Sequence, residues 1–435
     1  MSFDVVIIGG GITGAGILKA ASELGLSAVL LEMDTPGNKT TAISSGLIHG
    51  GLRYLPYDRQ TAKLCCLEGG ILKTMAPELL CRQVFLWAVY KGQRFGLDLV
   101  EALMEGYDEL SVFKQGKAHV RLDREEALTV EPNLSPNGLE GAVSFDEWKV
   151  NPHELVRFNL EEARKRGAKI YVGARAVGFD FEGNRVRAVR VRYKSDNREE
   201  SVEGKVIINA AGPWAERVAQ MAKARSVQFR FRKGAHLIVK NCALNHGILF
   251  PEANGHYIGA YPRDGEIWIG PTDDPFDGDL DQITVTDSEV ARLRQAAEQF
   301  LPHVDFENYR TVVGVRPILY QRNLFGLLSR DHKVFDHDLV EGVGGLVSIA
   351  GGKMTAYRKM AEETLEVACR KLSRSGPVAR YHAAHQSRGV ALVHSLTLLV
   401  FSFFRHHWRK ALGKTRVGLA LFKKTYDYGK QGCCD

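Results

Sequence analysis

The chain lacks the marks of a secreted, disulfide-stabilised or repetitive protein. Its 435 residues include seven cysteines, which form no C-x-x-C pair and no regularly spaced framework. Such usage is typical of a reducing compartment. No signal peptide precedes the first motif, which begins at residue 4, so we expect a cytoplasmic protein. We find no internal repeat and no low-complexity tract, and we predict no metal site.

A basic surface is also missing from most of the chain, because the net charge of +7 is concentrated at one end. Residues 376–435 hold ten Lys and Arg but only two Asp, a balance of +8, which leaves residues 1–375 at −1. A neutral main body argues against a nucleic-acid partner. It also argues against an RNA-modifying or scaffold protein.

The most informative feature that is present is a glycine-rich turn after the first apolar run. Residues 4–8 predict a buried strand that leads into GGGITG, and a helix-compatible stretch follows. In this G-x-G-x-x-G pattern Gly9 permits a tight turn, Gly11 admits a pyrophosphate, and Gly14 lets the helix pack on the strand. Ile12 and Thr13 open the helix, whose N-terminus favours phosphate. The segment predicts a dinucleotide site.

An acidic residue completes this pattern. Glu32 ends the second apolar run, residues 28–31, at the distance from Gly11 where an acid accepts hydrogen bonds from ribose hydroxyls. A carboxylate there repels a 2′-phosphate, which disfavours NADP.

The order of the remaining patterns predicts an α/β fold with two domains. We expect a doubly wound, Rossmann-like domain assembled from residues 1–58, 150–225 and 305–375. Residues 59–149 and 226–304 would form an inserted substrate domain with an antiparallel sheet, since short strands alternate with turn residues between 227 and 272. Residues 376–435 would form a short helical tail. A ligand shared by two such domains binds in the cleft between them.

Six further segments follow the fingerprint: SSGLIHGGLRYL (44–55), KGAH (233–236), IGPTD (269–273), GVRP (314–317), SRD (329–331) and SIAGGKMTAYR (348–358). In this order they resemble blocks of the FAD-dependent glycerol-3-phosphate dehydrogenases, within the D-amino-acid-oxidase-like flavoproteins. The resemblance spans residues 4 to about 372. It implies FAD as the cofactor and oxidation of sn-glycerol 3-phosphate to dihydroxyacetone phosphate. We expect membrane quinone as the electron acceptor; oxygen and a partner subunit are the alternatives.

The resemblance also implies which residues contact each ligand. Contacts with FAD are expected from Gly9, Gly11, Ile12, Thr13, Gly14, Glu32, Ser44, Ser45, Leu47, His49, Ala176, Val177, Ala211, Gly212, Gly351, Gly352, Lys353, Met354 and Thr355. Contacts with the substrate are expected from Arg53, Tyr54, His236, Arg316, Arg330 and Lys353. A phosphate dianion requires cations, and the planar fork of arginine matches its oxygens.

The catalytic residues are expected to be Arg316, His236 and His49. Oxidation of an alcohol by a flavin removes a hydride from carbon and a proton from the hydroxyl. Arg316 is a poor base, because an arginine pKa exceeds about 12, although it would stabilise an alkoxide. Either His236 or His49 is the more suitable proton acceptor. Each could instead be a histidine that only packs in the fold.

The tail carries a strongly apolar run, residues 390–404, followed by RHHWRK. Fifteen residues of helix extend about 22 Å, short of a hydrocarbon core of about 30 Å. We therefore expect an interfacial helix over 390–410 that attaches the protein peripherally to the inner face of the cytoplasmic membrane. The alternative is a helix that docks on the protein body or on the second subunit of a homodimer.

A second enzymatic function stays open at this point. The same architecture serves oxidases and dehydrogenases of small 2-hydroxy or amino acids. Their substrates carry a carboxylate, so fewer cations would suffice.

Overall fold

The computed structural model describes residues 2–240, 244–252, 256–320 and 331–374. The strands in these ranges are β1 Phe3–Ile8, β2 Ala28–Glu32, β3 Leu47–Ile48, β4 Leu80–Tyr90, β5 Val120–Asp123, β6 Leu139–Val150, β7 Lys169–Val172, β8 Ala174–Glu182, β9 Arg185–Tyr193, β10 Glu199–Asn209, β11 Phe229–Lys240, β12 Gly247–Pro251, β13 Tyr257–Arg263, β14 Glu266–Gly270, β15 Asp274–Phe276, β16 Tyr309–Leu319, β17 His332–Asp336 and β18 Leu346–Gly351.

The helices in the same ranges are α1 Ile12–Glu23, α2 Arg59–Met75, α3 Leu97–Ser111, α4 Arg124–Val130, α5 Pro152–Lys165, α6 Ala215–Met221, α7 Asp287–Phe300, α8 His337–Glu341 and α9 Tyr357–Lys371. Short 3-10 helices lie at Leu52–Tyr54, Pro77–Leu79, Val112–Lys114, Gly212–Trp214 and Met354–Ala356. None of the described helices combines the length and the apolar character that crossing a bilayer requires. The predicted tail lies outside the described residues.

The first sheet is the doubly wound sheet that the sequence predicts. Its strand order is β17-β18-β10-β1-β2-β7, and β18, β10, β1, β2 and β7 run parallel. The side chains of β1 are buried on both faces: Val5 and Ile7 pack towards α1, α5 and α9, while Val6 and Ile8 pack towards α6 and the β8–β9 hairpin. Continuous apolar strands suit a parallel sheet with both faces covered. The fold class is confirmed, including assembly from separated segments.

The second sheet follows the order β15-β11-β14-β13-β12-β4-β6-β3, with β16 paired to β11 and β5 to β6. All of its pairs are antiparallel except β12 with β4. Two of its strands depart from the expected division of the chain, because β3 and β16 lie in ranges that were assigned to the cofactor domain. β16 pairs with β11 along its whole length. Local composition does not reveal such pairing, since the ladder joins residues about 80 positions apart in the chain.

The parallel strands place several loops at one edge of the first sheet. β1 ends before Gly9, β2 at Glu32, β10 before Ala210 and β18 at Gly351. The carboxyl ends of parallel strands form the edge where ligands bind in open α/β sheets. A cavity lies at this edge and faces β11 and β16 of the second sheet.

Two glycines of the fingerprint have the roles predicted for them. Gly9 has φ +107°, a left-handed conformation that L side chains rarely adopt. At Gly14 a Cβ would lie 1.9 Å from the carbonyl oxygen of Gly9, so only glycine lets α1 approach the end of β1 this closely.

A methyl group at position 14 should therefore push α1 away from β1. We expect Gly14→Ala to lower the free energy of unfolding by about 1–3 kcal/mol, as overpacking in a core does. Urea denaturation would measure this. Gly106→Ala is the matched control, because Gly106 also lies within a helix and its Cβ would meet only Leu55, at 3.8 Å. This control should leave stability unchanged or raise it. Equal effects of the two substitutions would contradict the proposed packing.

Candidate active site

The cavity at the edge of the first sheet has a volume of about 500 Å³. Its walls come from both sheets, and nearly all of the predicted site residues lie on them. Those that line it are Gly9, Gly11, Ile12, Thr13, Glu32, Ser44, Ser45, Leu47, His49, Arg53, Tyr54, Ala176, Ala211, Gly212, His236, Arg316, Gly351, Gly352, Lys353 and Met354. Residues from distant segments of the chain therefore converge on one space.

Four predicted residues are not on the cavity wall. Gly14 lies behind it, packed against Gly9. Val177 is next to Ala176 at an irregularity in β8 and is not among the lining residues, because successive side chains of a strand point to opposite faces. Thr355 is buried and donates its hydroxyl to the carbonyl oxygen of His49, at 3.4 Å. Arg330 lies outside the described residues.

One end of the cavity is formed by the fingerprint. The N-terminus of α1 opens onto it, and the N–H of Ile12 donates to Oγ1 of Thr41 at 3.2 Å. The carboxylate of Glu32 accepts the N–H of Gly10 at 2.6 Å and that of Asp34 at 2.8 Å. Burial raises the pKa of Glu32, while these two hydrogen bonds oppose the rise. Glu32 therefore fixes the glycine turn in addition to facing the cavity.

The loop of residues 44–49 forms another wall. It is held from the second sheet by Arg263, whose Nη1 donates to the carbonyl oxygen of Ser44 at 3.0 Å. The guanidinium of Arg263 is 4.1 Å from the ring centroid of Trp268, a cation–π distance. Sequence reasoning did not identify Arg263, because nothing in its neighbourhood marks a contact with a loop more than 200 residues away.

Three of the cations that line the cavity are predicted substrate-binding residues: Arg53, Arg316 and Lys353. The Nζ of Lys353 is 4.7 Å and the guanidinium carbon of Arg53 is 5.7 Å from the ring centroid of Tyr54. Arg316, on β16, donates to the carbonyl oxygens of Lys233 and Thr272 and is 3.2 Å from a carboxylate oxygen of Asp273. These contacts orient the Arg316 side chain before any ligand arrives. The region can bind an anion.

His236 is the most unusual polar residue of the cavity. Its side chain is buried, and neither ring nitrogen has a hydrogen-bond partner among the described residues. The ring packs edge-on against Trp268, with centroids 5.4 Å apart. Burial lowers the pKa of His236 to about 3, and the charges of Arg316 and Arg263 add to this effect. A neutral imidazole that faces a cavity can accept a hydrogen bond or a proton from a ligand.

His49 has a similar electrostatic environment. Burial lowers its pKa to about 3, with further contributions from Lys353, Arg53 and Lys114. Both predicted proton acceptors are thus neutral near pH 7 but weakly basic. A bound dianion would offset the effect of the cations and raise both pKa values. Both histidines line the cavity, so the proton acceptor could be either of them.

Several lining residues escaped the sequence analysis. They are Met33, Thr41, Arg175, Trp214, Arg217, Pro271, Asp331 and Met360. The sequence does mark Asp331, since it follows Arg330 in the SRD segment. Its carboxylate accepts a hydrogen bond from the hydroxyl of Thr61 at 3.3 Å. Pro271 also had a signal, since it lies in the IGPTD segment, whereas Arg175 lies on β8 and carries no local mark of a site.

The wall of the cavity fits a dinucleotide. A side chain at Gly9, Gly351 or Gly352 would be strained, because all three have positive φ. A Cβ at Gly10 would approach Glu32 to 2.8 Å. Glycine therefore keeps backbone exposed where the helix N-terminus meets the cavity, as binding of a pyrophosphate requires.

Comparison with known proteins agrees with this geometry. Residues 4–358 match the model of the FAD dependent oxidoreductase family. The chain belongs to this family. It is 31% identical over 386 residues to an aerobic glycerol-3-phosphate dehydrogenase of Staphylococcus aureus. The aligned region covers 86% of this chain and 68% of the relative. A protein of the same name from Staphylococcus saprophyticus is 32% identical over 383 residues, 85% of this chain and 67% of the relative.

Solved structures share the fold. The glycerol-3-phosphate dehydrogenase from Bacillus halodurans complexed with FAD superimposes with a TM-score of 0.69 at 23% identity, covering 97% of this chain and 82% of that one. The L-alpha-glycerophosphate oxidase from Mycoplasma pneumoniae, with FAD bound, gives 0.67 at 21% identity, covering 86% and 96%. The protein is thus an FAD-dependent oxidoreductase, and the predicted cofactor is confirmed.

The neutral state of His236 predicts a dependence of stability on pH. Its folded pKa of about 3 lies below the ordinary value of 6.5, so below about pH 6.5 the unfolded chain binds a proton that the folded chain does not. By linkage, His236 should contribute a loss of about 2 kcal/mol between pH 7 and pH 5 in the protein without ligand.

We expect His236→Gln to reduce the pH dependence of the free energy of unfolding, measured by urea denaturation, by this amount. His153→Gln, at an exposed position on α5, is the control and should retain the full dependence. If the His236→Gln protein lost stability with falling pH as steeply as the unaltered chain, the buried neutral histidine would not be its cause.

Proposed function

We propose that the protein oxidises sn-glycerol 3-phosphate to dihydroxyacetone phosphate, with FAD as the hydride acceptor. The observation that carries this proposal is the convergence of Arg53, Arg316 and Lys353 on the cavity that the dinucleotide fingerprint opens. Relatives named aerobic glycerol-3-phosphate dehydrogenase support the choice of substrate.

The cofactor would be held by the residues of the fingerprint and the loops at the sheet edge. Gly9, Gly11 and the start of α1 would receive the pyrophosphate, and Glu32 the ribose. Residues 44–49 and 351–354 would enclose the isoalloxazine ring. When bound, FAD supplies the two-electron acceptor that alcohol oxidation requires.

The phosphate group would bind to the cations. Arginine provides paired donors and lysine a point charge, which together suit the dianion. Arg316 lies beside Asp273 and two carbonyl oxygens, so its orientation is set in advance and little side-chain entropy is lost on binding. Tyr54, between Arg53 and Lys353, would limit the width of this part of the cavity.

The hydroxyl proton would pass to a neutral histidine. His236 and His49 both face the cavity and both have acceptor nitrogens near pH 7. Arg316 stays charged and would stabilise negative charge on the substrate oxygen. A substrate that brings a dianion into the cavity strengthens the base, because it offsets the cations that lower the pKa of each histidine.

We further propose that electrons pass to membrane quinone and that the tail attaches the protein to the membrane surface. The support is the apolar run 390–404 with the basic residues that follow it. A chain ending at residue 375 should bind FAD normally and lose its partitioning to anionic vesicles. Unchanged partitioning of the shortened chain would exclude the tail as the attachment.

The substrate can be tested directly with the purified flavoprotein. Anaerobic addition of glycerol 3-phosphate should bleach the visible flavin band, whereas lactate and glycine should leave it unchanged. Bleaching by glycine or lactate alone would favour the alternative, an enzyme of small 2-hydroxy or amino acids.

Two arginines on β16 offer a matched test of phosphate binding. Arg316 lines the cavity, while Arg310 is exposed and pairs with Glu266. We expect Arg316→Gln to lower kcat/KM for glycerol 3-phosphate on the order of tenfold to a hundredfold, the effect of losing a charged hydrogen bond. Arg310→Gln should stay within about twofold. Steady-state kinetics with an artificial electron acceptor would measure both. If the two variants had similar kcat/KM values, Arg316 would not be a phosphate-binding residue.

A further inference from the structure

A closed group of polar side chains lies buried behind the wall of the cavity. It consists of Tyr107 on α3, Lys114 at the end of the following 3-10 helix, and Glu147 on β6. Their exposed fractions are 1%, 1% and 4%. None of the three lines the cavity. We call them the Lys114 cluster.

Every polar atom of the Lys114 cluster has a partner. The Nζ of Lys114 donates to the hydroxyl of Tyr107 and to Oε2 of Glu147, both at 2.8 Å, and to the carbonyl oxygen of Asp146. Tyr107 donates in turn to Oε1 of Glu147 at 2.8 Å. A fully satisfied buried network is rigid. An ion pair in the interior is nevertheless a weak source of stability, because apolar residues of similar size often serve as well.

One hydrogen bond joins the Lys114 cluster to the loop that carries His49 and Arg53. Oε2 of Glu147 also accepts the N–H of Gly50, at 2.7 Å. The contact is close, since a Cβ at Gly50 would lie 2.1 Å from the hydroxyl oxygen of Tyr107. The carbonyl oxygen of Gly50 accepts the thiol of Cys66 at 3.3 Å, so both polar groups of this residue are held.

Gly50 lies between the predicted catalytic and substrate-binding residues of its loop. His49 precedes it and lines the cavity, with its carbonyl oxygen bound by Thr355. Arg53 and Tyr54 follow within one turn of 3-10 helix and also line the cavity. A shift of the Gly50 N–H would therefore move three cavity side chains together.

We infer that Glu147, oriented by Lys114 and Tyr107, is a positioning residue that fixes the Gly50 N–H and so sets how His49, Arg53 and Tyr54 project into the cavity. The ion pair thus has a function beyond packing: it holds a carboxylate oxygen, with no freedom to rotate, opposite a single backbone donor. Two measurements below, flavin dichroism and the Kd of FAD, depend only on the FAD site, and the third, flavin reduction by glycerol 3-phosphate, rests on the proposed function.

The test compares two double variants that both remove the buried charges. Lys114→Met with Glu147→Gln leaves an amide oxygen that can accept the Gly50 N–H. Lys114→Met with Glu147→Leu leaves none. Glu140→Gln, an exposed position on the same strand, is the control. The purified holoproteins would be compared by visible circular dichroism of the flavin, by the Kd of FAD for the apoproteins, and by the rate of anaerobic flavin reduction with glycerol 3-phosphate.

We expect the Met/Gln pair to stay within about threefold of the unaltered protein in the Kd of FAD. Both pairs lose the Lys114 charge that helps to lower the pKa of His49, so reduction rates are compared between the two pairs. The Met/Leu pair should show altered flavin dichroism and a reduction rate lower on the order of a hundredfold, as displacement of site groups by about 1 Å can produce. Its thermal midpoint should match that of the Met/Gln pair to within a few degrees.

Two results would overturn the inference. In one, the Met/Leu pair keeps the dichroism and Kd of the unaltered protein. In the other, both pairs lose them equally, which would assign the effect to the buried charges and not to the Gly50 acceptor.

If glycerol 3-phosphate fails to reduce even the unaltered protein, the proposed function fails, but the dichroism and Kd still decide the role of Glu147. A Met/Leu chain that does not fold while the Met/Gln chain does would show a structural need for the acceptor and would also count against a positioning role.

Discussion

The close contact between Gly14 and the carbonyl of Gly9 is the constraint on which the arrangement of the site depends. It brings the N-terminus of α1 to the carboxyl end of β1, where the parallel sheet leaves an open edge. The other loops of the cavity follow strands that are in register with β1: Val6 pairs with Ile207, and Ile207 pairs with Leu346. The turns after β10 and β18 therefore reach the same edge, because parallel strands end on the same side.

The second sheet supplies the chemistry that the first sheet lacks. The fingerprint offers backbone donors and one carboxylate, whereas β11 and β16 bring His236 and Arg316 across the cavity. The guanidinium is oriented by Asp273 and carbonyl oxygens, and the same charge helps to keep His236 neutral. Cation and base are therefore coupled: an anion that neutralises the first strengthens the second.

Much of the fold could be predicted because its elements have strong local patterns. Residues 59–80 and 287–301 carry helical patterns in the sequence, and the structure has α2 Arg59–Met75 and α7 Asp287–Phe300 there; α7 begins at the capping box of Thr286 and Glu289. Residues 353–372 carry an amphipathic helical pattern, and they form a 3-10 turn followed by α9. Strand partners were harder, because β3 and β16 carry the apolar character of either sheet and only long-range hydrogen bonds decide which they join.

The site was predictable where glycines mark a turn in the sequence, as at Gly9 and at Gly351. Those residues constrain φ or admit close approach, and such limits are local. Val177 does not line the cavity although Ala176 does, because successive side chains of a strand point to opposite faces. Its contact with FAD stays a prediction.

The sequence by itself determined the dinucleotide turn, the helices with their caps, and the cations available to the substrate, because each depends on neighbouring residues. Only the tertiary structure decided that Arg263 holds the carbonyl of Ser44 and that Glu147 receives the N–H of Gly50. Those pairs are separated by 219 and 97 residues. A hydrogen bond acts over about 3 Å of space and is indifferent to distance along the chain, so no local pattern can encode it.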